Sequence, residues 1–142
     1  MKILLCLFAV FAAQMHAKPA HKDLKAEFEC LTEMGMKLEQ VMDAVHFVTD
    51  PADDKEGVGE YLYCVWKKKE IMDNKQYING EKIADYLLGI YSSYSLSQEQ
   101  IQIVKDEANK CAQLSAKKDS TLAILVKNCI LLAGKQVFAK SN

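Results

Sequence analysis

The chain has 142 residues, half of them hydrophobic, and its eighteen basic residues are all lysine against nineteen acids, a formal charge of −1. Nucleic-acid binding is disfavoured, since phosphate recognition draws on a basic surface and arginine forks, and this chain has neither. The length suits one domain that buries roughly two thirds of its unfolded surface.

The chain opens with Lys2 and an apolar run from Ile3 to Ala13, too short to span a bilayer. Small Ala17 then precedes the polar pair Lys18-Pro19, so residues 1–17 read as a secretory signal peptide cut after Ala17. Met15, at the −3 position, is larger than usual there, so the cut can shift by a few residues. No other stretch reads as apolar enough to cross a membrane, and the expected product is soluble and secreted. It comprises residues 18–142, with seventeen lysines against nineteen acids and a formal charge of −2. Export removes Cys6 and leaves Cys30, Cys64, Cys111 and Cys129, an even set that can pair completely.

A first helix is expected over residues 20–34, with Leu24, Phe28 and Leu31 on one side and Cys30 close by. Gly35 is a natural stop. A shorter helix follows with Leu38, Val41, Met42 and Val45 as its stripe. Residues 49–54 form a turn rich in helix caps. The third helix, from about Lys55 to Lys69 or Ile71, is the centre of the pattern. Tyr61, Leu62, Val65 and Trp66 share one side, Cys64 lies among them, and lysines follow towards the C-terminal end. Residues 73–80 are a loop by composition. A fourth helix carries Ile83, Leu87, Ile90 and Tyr91 at helical spacing. Ser97-Gln98-Glu99-Gln100 is a capping box opening the fifth, whose inner face is Ile101, Val104, Ala108, Cys111 and Ala112. Asp119 can cap the sixth, where Leu122 to Ala133 is interrupted only by Lys127 and Asn128. A helix apolar on nearly all sides belongs in the middle of the molecule. Gly134 weakens it before Val137-Phe138. The fold class is all-α, six helices and no strand.

Catalytic machinery is not found. No two cysteines lie two to four residues apart, the usual spacing of zinc thiolates, and no metal is expected. Asp73 to Glu81 resembles a calcium loop only superficially, since Tyr77 and Ile78 stand where an oxygen ligand and the glycine belong. His46, beside Val45 and Phe47, reads as a partly buried helix-end histidine; neither it nor His21 has the setting of a nucleophile or base. There is no Gly-rich phosphate loop and no cofactor is implied. The remaining apolar residues fill a solid core or surround a cavity, and periodicity does not distinguish the two.

The cysteine spacing resembles that of insect odorant-binding proteins of the pheromone/general odorant-binding family, with four of that family's six cysteines. In the six-cysteine pattern the second stands four positions before the third and the fifth nine positions before the sixth. With Cys64 as third and Cys129 as sixth, the missing pair falls at Glu60 and Ser120. The family bonds its second cysteine to its fifth, so the two absences are each other's partners, as in the four-cysteine "minus-C" subgroup. The text Tyr61-Leu62-Tyr63-Cys64-Val65-Trp66-Lys67-Lys68-Lys69, then Ile71-Met72-Asp73-Asn74 and Ile78-Asn79, is similar to the family's third helix and following loop.

The resemblance implies six disulfide-linked helices around an apolar cavity, no catalysis, and extracellular carriage of small hydrophobic compounds such as odorants or pheromones. It implies the pairs Cys30–Cys64 and Cys111–Cys129. With Glu60 and Ser120 in the lost positions, no bond ties the third helix to the sixth. The lining expected from periodicity and nearness to this frame is Val45, Leu62, Trp66, Leu87, Ile90, Tyr91, Val104, Ala108, Val126 and Ile130. Tyr91 can offer a hydrogen bond to an alcohol or carbonyl. Phe138 is expected to cap the cavity, with the chain turning back at Gly134. The partners implied are the small hydrophobic ligand and a chemosensory receptor; stable membrane insertion is not. A secreted helical signalling or structural protein with a solid core is the alternative.

Overall fold

The structure is a computed structural model describing residues 23–139. The expected leader, the start of the first helix and His21 lie outside the described residues. Six α-helices follow in order: α1 Lys25–Met34, α2 Leu38–His46, α3 Val58–Lys68, α4 Gly80–Ile90, α5 Gln98–Cys111 and α6 Asp119–Ala139. A 3-10 turn, Pro51–Asp53, separates α2 from α3. No strand occurs among the described residues, only an isolated bridge between Met72 and Ile78.

The helix ends follow from side-chain chemistry. Gly35, at φ 61°, lets Met36 N–H reach back to the Leu31 carbonyl and closes α1. Asp50 caps the 3-10 turn through Ala52 N–H. Asp54 does more, its two carboxylate oxygens accepting from Val58 and Gly59 N–H at 2.8 and 2.9 Å, where α3 begins. Gly57, at φ 76°, lies outside the right-handed helix, so α3 starts three residues later than Lys55. The capping box of α5 forms, Gln100 N–H donating to Ser97 Oγ and Ser97 N–H to Gln100 Oε1. Asp119 is the first residue of α6, and its carboxylate accepts from Gln76 Nε2.

α6 runs through the middle and packs chiefly on α3, then on α5; α4 lies on α5, and α1 rides on α3. Leu122, Ala123, Ile124 and Val126 are buried around the first half of α6. Beyond Ile130 burial narrows to one side, with Leu132 half exposed. Cys30–Cys64 joins α1 to α3 and Cys111–Cys129 joins α5 to α6, the pairs that the resemblance implies. Near the starts of α3 and α6 backbones almost touch. A Cβ built on Gly59 would stand 2.6 Å from the Ser120 carbonyl oxygen. That contact lies beside the positions read as the lost cysteine pair.

Several expectations are corrected. Leu24, Phe28, Leu38 and Met42 are 37 to 56 % exposed, because α1 meets α3 through Cys30 and Leu31, and α2 buries only Val41. His46 is exposed, with Nδ1 2.7 Å from the Met42 carbonyl one turn back. The chain does not turn at Gly134; α6 runs straight through it, because core packing outweighs the roughly 1 kcal/mol that one glycine costs a helix. The glycine has a use there, since a Cβ at this position would overlap the Tyr91 hydroxyl. α6 is also long and apolar enough to cross a membrane by length and composition, contrary to the expectation that no later stretch is. Burial of half its most apolar window and the bond to α5 place it as a core helix.

Candidate functional site

The expected lining converges from several helices. Leu62 and Trp66 on α3, Leu87 on α4, Val104 and Ala108 on α5, and Val126 and Ile130 on α6 are buried in one cluster. Val45 and Tyr91, partly buried, pack against it. Trp66 is fixed on two sides: its indole N–H donates to the Ala123 carbonyl at 3.0 Å, and Tyr86 meets it edge-on at 5.6 Å. Burial, then the Glu27 charge, push the Tyr61 and Tyr86 hydroxyls up to about 12, so both are neutral donors at any physiological pH. Ile90 is half-buried at the end of α4. Phe138 is 38 % exposed at the end of α6, its ring edge-on to Tyr91 at 5.1 Å and to Tyr94 at 5.6 Å.

A separate cleft of about 600 Å³ opens between α2 and the start of α3, and none of the expected lining residues faces it. Its walls include Glu39 and Asp43 of α2, the extended run Phe47-Val48-Thr49, Asp50, Asp53, Asp54 and Glu56, with Ile124 of α6 behind. Six carboxylates against Lys55 make it acidic, while exposed Phe47 and Val48 give it an apolar lip. Local pattern showed this stretch only as a turn with caps.

The two polar interruptions of α6 do not line that cleft but hold one of its walls from behind. Lys127 is 3 % exposed, and its Nζ donates to the Phe47 carbonyl at 2.6 Å and to Thr49 Oγ1 at 2.8 Å. Asn128 pairs with the same strand-like run, accepting from Thr49 N–H at 3.0 Å and donating to the Thr49 carbonyl at 2.7 Å. Four hydrogen bonds therefore clip residues 47–49 to the central helix. Burial pushes the Lys127 amine down to about 8, and among the described residues no carboxylate forms an ion pair with it. No group of three or more His, Cys, Asp or Glu among the described residues is placed to hold a metal.

Six helices are framed by two disulfides, and apolar side chains meet at their centre. The PBP/GOBP family model matches residues 12–132, a span that contains both disulfides, and the chain belongs to the PBP/GOBP family. Its members are binding proteins that carry small odorant or pheromone ligands. No curated protein and no solved structure is detectably similar to the chain.

Proposed function

We propose that the protein is an extracellular carrier that takes small hydrophobic ligands into the centre of the helical frame, after removal of residues 1–17. The observation that supports this is convergence: nine of the eleven residues named from the sequence belong to or pack against one buried cluster, in a chain of this family. Uptake requires those side chains to part, and the ligand's apolar surface then replaces contacts the helices made with one another. Affinity follows apolar size, with a negative heat-capacity change and little salt dependence. Tyr91, whose hydroxyl burial and then Tyr94 hold above the usual range, is a donor for an alcohol or carbonyl. Phe138 borders Tyr91 from the straight end of α6 and covers that edge. On this reading the chain is a four-cysteine member that has lost the pair at Glu60 and Ser120, and a chemosensory receptor is the downstream partner class.

The test is displacement of a bound apolar fluorescent probe by alcohols of increasing chain length, followed by calorimetry. Expected is tighter binding with each added methylene, by up to about 0.8 kcal/mol. No displacement by any of them leaves the solid-core alternative standing, and affinity that tracks ligand charge contradicts apolar carriage.

A further inference from the structure

We propose that the Lys127 amine is a reversible covalent anchor for aldehyde ligands, reached through the cleft between α2 and the start of α3. The inference rests on the carrier reading and narrows its ligand class. Lys127 projects from the central helix one turn beyond Ile124, which lines the cleft, and its Nζ touches two residues of the cleft wall, Phe47 and Thr49. A neutral amine has two N–H donors and a lone pair; an ammonium has three donors. The site supplies two acceptors, the Phe47 carbonyl and Thr49 Oγ1, with no carboxylate among the described residues pairing the group. Those two satisfy the neutral form and leave its lone pair unengaged. The charged form would leave one N–H unmet in a nearly dry setting.

The chemistry balances without a co-reactant. The nitrogen lone pair attacks the aldehyde carbon and forms the C–N bond, while the carbonyl oxygen takes a proton that the nitrogen gives up. The resulting carbinolamine loses that oxygen as water together with the second amine proton, and a C=N bond remains. Hydrolysis reverses each step and returns aldehyde and amine unchanged. The two protons lost are those bonded to Phe47 and Thr49. Capture therefore releases half of the clip and leaves Asn128 as the remaining hydrogen-bonded tie between residues 47–49 and α6. Burial adds to the case: with the amine at about 8, the free-base fraction at neutral pH exceeds that of an ordinary lysine by on the order of a hundredfold.

The experiment treats the full secreted chain with octanal and cyanoborohydride at neutral pH. The reagent delivers hydride to the imine carbon and fixes it as a secondary amine, which peptide mass spectrometry then locates. In parallel, 1-octanol, which has no carbonyl, is titrated against a bound apolar probe. Expected is modification at Lys127 in about tenfold excess over the average exposed lysine, since hindered access offsets part of its free-base advantage. Lys127→Met loses that adduct while the other lysines keep theirs; the mapping of the natural chain stands even if this variant does not fold. Adducts spread over exposed lysines with Lys127 untouched overturn the anchor, and if octanol still displaces the probe the carrier reading survives. An adduct at Lys127 without octanol binding supports the anchor and removes the central-cavity reading.

Discussion

α4 and α2 carry apolar stripes of the same helical period and meet opposite fates. On α4, Ile83, Ala84 and Leu87 are buried against α5 and the α3–α6 seam. On α2 only Val41 is buried, while Leu38 and Met42 stand about half exposed. What separates them is what lies opposite. α4 docks on a neighbour that is itself bonded to α6, whereas α2 touches α3 lightly and is followed by a run whose attachment is the Lys127–Asn128 clip. Period alone says that a helix has a face to bury, and a second element decides whether it is buried. The molecule is thus a packed seam of α3 to α6 with a hydrogen-bonded flank at residues 38–57.

The molecule responds most strongly to loss of its disulfides. Pairwise replacement of Cys30 and Cys64 by alanine opens a loop with a separation of 34 residues, and removal of Cys111–Cys129 one of 18. In the chain-entropy view these losses reach about 3.8 and 3.2 kcal/mol. Urea unfolding should show both. Hydrogen exchange should show that loss of Cys30–Cys64 exposes α1 and spares α5, because that bond ties α1 to the seam. Equal loosening of α5 would mean that the two regions are one cooperative unit.

Gly59→Ala tests the seam itself. The added methyl would meet the Ser120 carbonyl, a backbone atom that cannot swing aside, so α3 and α6 must separate slightly. The expected cost is about 1–3 kcal/mol, read as a lower denaturation midpoint with unchanged helix content. An unchanged midpoint would show that the approach of the two helices there is slack.

The smallest effect belongs to the flank and is read by pH. Lys127 holds its proton less firmly folded, at about 8, than in the unfolded chain, near 10.5. Between those values the unfolded chain binds the extra proton, so stability rises with pH through this window. From pH 8 to 9.5 the gain is on the order of 1 kcal/mol, and Lys127→Met should flatten it. Tyr61 and Tyr86, raised to about 12, pull the other way chiefly above pH 10, beyond the range from pH 8 to 9.5. A flat profile in the natural chain would mean that the amine is solvated when folded.

Much of the seam was legible in the sequence because its signals are local. The capping box at Ser97, the stop at Gly35 and the Ile83–Leu87 spacing each depend on residues within one or two turns. The long-range frame came through the family resemblance, which implied the pairs Cys30–Cys64 and Cys111–Cys129. The flank was not legible for the converse reason: Lys127 bonds residues 78 and 80 positions away, which no window of helical pattern reaches. Leu24, Phe28, Leu38 and Met42 read as core because periodicity reports a face and not its partner. Gly134 read as a break because the hydroxyl that fills its missing side chain comes from Tyr91, on another element.

Trp66 gives the molecule a built-in optical reporter. It is the single tryptophan, 3 % exposed, with its N–H committed to Ala123 and a tyrosine ring 5.6 Å away. Its emission should be blue-shifted, shielded from aqueous iodide and fed by energy transfer from Tyr86. The 600 Å³ cleft is not lined by this indole. A ligand that parts the seam therefore changes the colour and the quenching of the emission, while one seated only in the cleft leaves the indole's surroundings intact. One spectrum recorded across a titration distinguishes the two places a guest can sit.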